Sequence, residues 1–228
     1  MQRDLVFPVP PAWAQSGLLA KVTSLNDPDQ LNRVEVRLLA FDGVAQQDAA
    51  MWARVVCPFA GDDRGAFFLP DVGDEVLVVF VQGDPRHPLV LGGLWNGSAS
   101  APASIQGGQN RTKRIKSKNG IVVTLEDQSG QEKLQLETPG GCKLTLQDGP
   151  GSVTLEDSNG NSIKLESSGI TVQAAAKVTV QASSVTISAG MVTVDAAMSK
   201  FSGMVKCDVL QTNAVISSSY TPGAGNVW

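Results

Sequence analysis

Between residues 123 and 194 the chain repeats one short pattern, an apolar residue, a middle residue and a second apolar residue. The apolar pairs are Val123 and Leu125, Leu134 and Leu136, Leu144 and Leu146, Val153 and Leu155, Ile163 and Leu165, Ile170 and Val172, Val178 and Val180, Val185 and Ile187, and Val192 and Val194. Their starts lie 11, 10, 9, 10, 7, 8, 7 and 7 residues apart, and the middle residue is Thr in seven of the nine. So short a strand cannot bury its own two apolar side chains and must stack on copies of itself. A one-chain right-handed coil needs about twenty residues or more per turn, and a left-handed one needs a strict hexapeptide repeat. These units are too short for the first and too irregular for the second. Three chains can close a triangle if each supplies one edge per level, with the apolar pair facing a narrow axis. The expectation is an intertwined trimeric β-prism of about 50 Å at the usual spacing between strands. A monomeric solenoid or an antiparallel meander is the alternative.

Composition divides the chain at the same place. Nine of twelve aromatic residues and eight of twelve prolines lie in 1–95, and no aromatic residue lies in 96–200. Residues 1–95 carry 7 basic and 12 acidic side chains, 96–119 carry 5 basic and none acidic, and 120–228 carry 6 basic and 10 acidic. A narrow axis where three side chains meet per level suits Val, Ile and Leu and excludes rings. The Gly/Ser/Ala/Gln stretch after Trp95 has linker composition. The expected organisation is an N-terminal extension at 1–16, a first domain at 17–95, a linker at 96–119, a needle at 120–210 and a tip segment at 211–228.

The first domain reads as a small closed barrel of the OB kind. Val34, Val36 and Leu38 alternate, a strand from Trp52 stops at Pro58, 75–81 is short and almost wholly apolar, and 88–95 carries a glycine bend. Several short strands punctuated by Gly and Pro, with no 3.6-residue period, make the chain all-β.

The residue inventory argues against enzymes and nucleic-acid binders. The net charge of −4 disfavours a general anion-binding surface. The one histidine, His87, has no nucleophile motif nearby and reads as a surface residue. Cys57, Cys142 and Cys207 show no metal-ligand spacing; Cys57 reads as core, Cys142 as a turn residue and Cys207 as facing the needle interior. The acids Glu126, Asp127, Asp148, Glu156 and Asp157 each end a repeat strand and read as solvated corners rather than paired catalytic carboxylates. The basic run Arg111, Lys113, Arg114, Lys116 and Lys118 reads as a solvated linker or as a contact with an acidic neighbour. No catalytic residue, metal or cofactor is expected. The opening MQRDLVFPVPPAW shows no signal-peptide pattern, and no apolar run is long enough for a membrane helix.

An ordered set of residues resembles the OB domain of contractile-tail spikes, the phage baseplate protein V family and the related VgrG spikes. The set comprises Trp52, Arg54 and Val55; Ala60 and Gly61; Pro70, Gly73, Glu75 and Val76; Phe80, Gly83, Asp84, Pro85 and Pro88; and Gly92 and Asn96. The repeat beyond it is similar in kind to the family's trimeric β-helix. The resemblance implies a structural homotrimeric spike with its OB collar against the baseplate hub and tail tube. The needle is then driven through a target envelope when the sheath contracts. It also implies synthesis in the cytoplasm and assembly into the baseplate of a virion or phage-tail-like particle. Some relatives insert a lysozyme domain between collar and needle, and the short linker here has no room for one. Many short spikes carry a His-x-His iron tip; Tyr220 and Pro222 stand at that spacing here. The expectation is therefore a metal-free end, with Tyr220, Pro222, Val227 and Trp228 receiving a PAAR-like cap protein. The runner-up function, a carbohydrate-active β-helix enzyme or tail-fibre depolymerase, is disfavoured by the missing aromatic sugar platforms in 96–200.

Overall fold

Strand β2 (Val34–Leu38) alternates buried Val34, Val36 and Leu38 with half-buried Glu35 and Arg37, the period of a sheet with one face on a core. The computed structural model describes residues 12–44 and 49–218. In it β2 joins β1 (Leu18–Ser24), β3 (Met51–Val55), β6 (Glu75–Phe80) and β7 (Pro88–Leu94) in a closed barrel of order β1-β2-β3-β7-β6. The β3–β7 pair is parallel and the others antiparallel, the five-stranded OB arrangement. Inside lie Ala20, Val22, Val34, Val36, Leu38, Ala53, Val76, Val78, Phe80 and Val90, with Ala14 closing one end. Most are small and β-branched, which suits a narrow barrel interior. The register slips by one residue between Leu77↔Gly92 and Val78↔Val90. This bulge gives β7 its bend at the glycine pair.

Between β3 and β6 a two-residue hairpin, β4 (Ala60–Gly61) with β5 (Arg64–Gly65), stands outside the barrel. Gly65 is required there: its φ is +152°, and a Cβ would lie 2.9 Å from the Phe59 carbonyl oxygen.

One polar cluster ties the β1–β2 loop to β3. The Asp27 carboxylate accepts backbone N–H bonds from Asp29 (3.1 Å), Leu31 (2.9 Å) and Arg33 (3.1 Å), and a 2.6 Å bond from the Arg33 guanidinium. Arg33 also pairs with Asp29 at 2.6 Å and lies over the Trp52 ring, 5.9 Å from its centroid. The Arg33 guanidinium, helped by the three amides, holds the Asp27 carboxyl well below the usual carboxylate range.

Residues 112–173 form a second sheet in the order β14-β13-β12-β11-β10-β9-β8. Its strands are β8 (Thr112–Lys116), β9 (Val122–Glu126), β10 (Lys133–Glu137), β11 (Lys143–Gln147), β12 (Ser152–Glu156), β13 (Ser162–Glu166) and β14 (Gly169–Gln173). Every neighbouring pair is antiparallel. Two features differ from the sequence expectation. Strand β8 lies within the segment whose composition reads as linker, and its Lys113 and Arg114 are sheet residues. The triplets from 123 to 172 also pair with one another inside one chain, as a meander, rather than each forming an isolated edge. The reason is in the connections. They carry Gly120, Gly130, Gly141 and Gly160 at positive φ, which lets a strand turn back on its predecessor.

Beyond Gly169 no described glycine has a positive φ. The residues after β14 are Ala174-Ala175-Ala176-Lys177, without Gly, Pro, Asn or Asp. The chain divides into the units Met1–Lys177 and Val178–Trp228. In the described part of the second unit, 178–218, no residue is in a strand and every residue is exposed. The expected strands at Val178–Val180, Val185–Ile187 and Val192–Val194 are therefore absent from a single chain, because without a hairpin they have no partner for their backbone. The backbone bends at Ser183, Gly190 and Ala197, seven residues apart, and again at Ser202–Gly203, Asp208 and Asn213.

Asp27 carries a pH signature. Its folded pKa is depressed, so its contribution is fully present above the unfolded value of about 4 and is lost as pH falls below it. Asp27→Asn is expected to lower the barrel's melting temperature at pH 7. It should also shrink the fall in melting temperature between neutral pH and about pH 2. Calorimetry of both proteins across that range checks this; parallel curves would contradict it.

Candidate self-association surface

The register of the 112–173 sheet sorts its side chains by face. Leu134 lies opposite Leu125 and Leu146, Leu136 opposite Val123 and Leu144, Leu155 opposite Leu144 and Ile163, and Leu165 opposite Val153 and Ile170. Ile163 also faces Val172, and Ile115 extends the row onto β8. All six triplets from 123 to 172 thus put both apolar members on one face.

The opposite face is polar and largely satisfied within the chain. Glu126 accepts from the Thr112 hydroxyl, Arg114 Nε donates to Thr124 Oγ1 at 3.2 Å, and Lys143 pairs with Glu156 at 3.0 Å directly across the strands. Lys164 meets Glu166 at 2.5 Å, and Gln135 donates to Glu137 at 3.1 Å. Lys164 and the Ser168 hydroxyl pull the Glu166 carboxyl below its ordinary value, and the bond to Glu156 raises Lys143.

Burial is inverted relative to polarity. Thr124, a middle residue, is 6% exposed, while Leu155 is 50% and Ile170 70% exposed. Leu125, Leu134, Leu136, Leu146, Ile163 and Leu165 are also exposed. A continuous patch of this kind marks a surface that another molecule covers. The apolar members beyond β14 carry the same mark: Val178, Val180, Val185, Ile187, Val192 and Val194 are all exposed.

The OB-motif residues sit where the barrel needs them. Trp52, Arg54 and Val55 are on β3, Ala60 and Gly61 form β4, and Pro70 lies in the loop before β6. Gly73 donates its N–H to the Val22 carbonyl at 2.9 Å and Asp74 accepts from Val22 N–H at 3.0 Å, stitching that loop to β1. Glu75 and Val76 open β6 and Phe80 closes it. Gly83, at φ +72°, Asp84 and Pro85 make the turn to Pro88 on β7, which also holds Gly92. Asn96 donates to Glu75 at 2.8 Å and accepts from Ser98 and Ala99 N–H, tying the barrel's exit to its β6 strand. Asp84 accepts from Arg86, which lowers its pKa to about 2. These contacts are architectural; none converges on a reactive atom.

His87 is exposed beside that turn. Cys57, Cys142 and Cys207 are free thiols, with Cys57 directing its Sγ at the Phe59 carbonyl and Cys142 in the β10–β11 turn. Asp127 pairs with Lys113, and the Asn161 and Asn159 side-chain amides and backbone N–H groups hold Asp157 to a pKa of about 2. Among the described residues no group of three or more His, Cys, Asp or Glu side chains comes together to hold a metal. No helix among them is long and apolar enough to cross a membrane. Tyr220, Pro222, Val227 and Trp228 lie outside the described residues. The pairing partner of each strand and the place of β8 were missed in the sequence; the turn glycines and the β-branched Thr112 and Ile115 were the available signals.

The type VI secretion system/phage-baseplate injector OB domain family matches residues 18–95, and the phage baseplate V C-terminal trimerisation domain family matches 133–196. Among curated relatives, the type VI secretion system spike protein VgrG4b of Pseudomonas aeruginosa is 33% identical over 46% of this chain and 14% of its own length. The same organism's VgrG1c spike protein is 32% identical over 46% of this chain and 16% of its own. The Vibrio cholerae VgrG3 spike protein is 29% identical over 40% of this chain and 9% of its own. The matched stretch is thus a small part of each of these relatives.

The two faces of the sheet make opposite predictions for a buried charge. Leu155→Asp is expected to cost several kcal/mol and to dissociate the assembly, because a covered apolar face cannot solvate a carboxylate. Thr154→Asp, on the polar face next door, is expected to leave the assembly mass unchanged. Light scattering of the two variants checks this, and equal loss from both would refute the assignment of faces.

Proposed function

The chain belongs to the phage baseplate V and VgrG-like spike family, and on that premise we propose that it is a structural, homotrimeric central spike of a contractile injection machine. The observation that carries this reading is the uncovered apolar face that follows directly on an OB barrel. Two further copies supply the missing cover. The apolar pairs from Val123 and Leu125 through Ile170 and Val172 then form the trimer core. From Val178 to Val194 the exposed repeats wind with the same repeats of the other two chains, one edge per chain per level. The bends every seven residues at Ser183, Gly190 and Ala197 mark the corners of that triangle.

In this reading the barrels make a three-fold collar that seats against the hub and tail tube. The needle extends from them toward the target envelope, and a PAAR-like protein covers its far end. Such a rod does mechanical work, so its requirements are stiffness and closed sheet edges rather than a reactive centre. The absence of aromatic residues from 96–200 favours this role over polysaccharide binding.

Purified full-length chain is expected to scatter as about three times its 23.9 kDa chain mass and to leave polysaccharide substrates uncut. Electron microscopy of intact particles is expected to place three copies on the axis, beneath the tube. A folded monomer, or density off that axis, would overturn the proposal.

A further inference from the structure

The apolar face does not stop at the edge of the sheet. Ile115 and Val123, which belong to it, also line a cleft of about 550 Å³ whose other wall comes from the barrel's long β3–β6 loop. That wall is Phe68, Leu69 and Val72, and Ile121 in the β8–β9 turn closes the cleft on the sheet side. The loop is held in place: Asp71 N–H donates to Asp74 at 2.8 Å, Gly73 is bonded to β1, and Asp71 pairs with Lys118 of the β8–β9 turn at 3.3 Å. Yet its apolar residues are open to solvent, with Phe68 70% and Val72 56% exposed, as are Ile115 and Ile121. Phe68 is not among the barrel's core residues, which makes it a large apolar side chain held by a tied loop beside a cleft whose apolar walls are rimmed by Asp71, Asp74, Lys116, Ser117 and Lys118.

We propose that this cleft is an interface site for a second copy of the chain, so that each collar loop is clamped to a neighbour's sheet. The occupant follows from continuity. Whatever covers Ile115 and Val123 as part of the sheet's apolar face also reaches the cleft they line, and that cover is another copy of this chain. The inference rests on the trimer reading above and extends it from the needle to the collar. Its consequence is mechanical: load on the needle passes into a neighbouring barrel through packed side chains as well as through the single chain segment 96–111. Within one protomer the Asp71–Lys118 pair links the loop to the β8–β9 turn at the rim of the cleft.

The test is thiol protection in the full chain. With Cys57, Cys142 and Cys207 replaced by Ser, Phe68→Cys is alkylated in native buffer and in denaturant, and the mass of the native species is measured in parallel. The proposal expects a trimer in which the introduced thiol reacts at least about tenfold more slowly than in the unfolded chain. A trimer whose thiol reacts within about twofold of the unfolded rate overturns the cleft proposal and leaves the trimer reading standing. A monomer overturns both. If Phe68→Cys does not fold, Val72→Cys on the same wall carries the same expectations and the same refutation.

Discussion

An antiparallel sheet whose six triplets gather their Val, Leu and Ile side chains on one face, left largely open among the described residues, is the constraint on which this molecule depends. Six hairpin-linked triplets place their Val, Leu and Ile side chains together, while Thr, Gln, Lys and Glu occupy the other face and satisfy one another. Each such aliphatic side chain gains about 1.5–3 kcal/mol when fully removed from water. A face of a dozen therefore drives association strongly, even after ordering costs. Self-association by a closed three-fold arrangement uses the same face on every copy and leaves none of it open.

The barrel solves the opposite problem. Its five strands close on themselves, its core is filled by its own small side chains, and its loops are pinned by Asp27, Asp74 and Asn96. It can hold its shape as one chain and so suits a fixed collar. The sheet and the segment beyond it cannot. The change occurs within a few residues, between the last described glycine of positive φ, Gly169, and Ala174-Ala175-Ala176-Lys177. Before that point strands fold back on their own chain; after it, the described residues form no strand within the chain.

The barrel was legible because its strands alternate cleanly and its turns carry Gly-Asp-Pro and Val-Gly-Asp signals. The common face of the six triplets from 123 to 172 was legible for the same reason, a period of two. What the sequence did not disclose was pairing. Spacings of 9–11 residues were read as edges of a triangle, whereas the glycines at 120, 130, 141 and 160 make hairpins of them. Strand β8 was hidden because Thr112–Lys116 is rich in charge, follows a Gly/Ser stretch and has a single apolar residue, Ile115. The cleft beside Phe68 was out of reach, since it joins residues about fifty positions apart that no local pattern connects.

The most direct test of the central claim is amide hydrogen exchange on the full chain, read by segment. Among the described residues the chain offers 178–218 no strand partner, so the account assigns any protection there to other copies. The account predicts that amides from Val178 to Val194 exchange as slowly as those of the 112–173 sheet in the assembled protein, and that both are released together on dissociation. Exchange of 178–194 at the free-peptide rate in a species that is still assembled would contradict it.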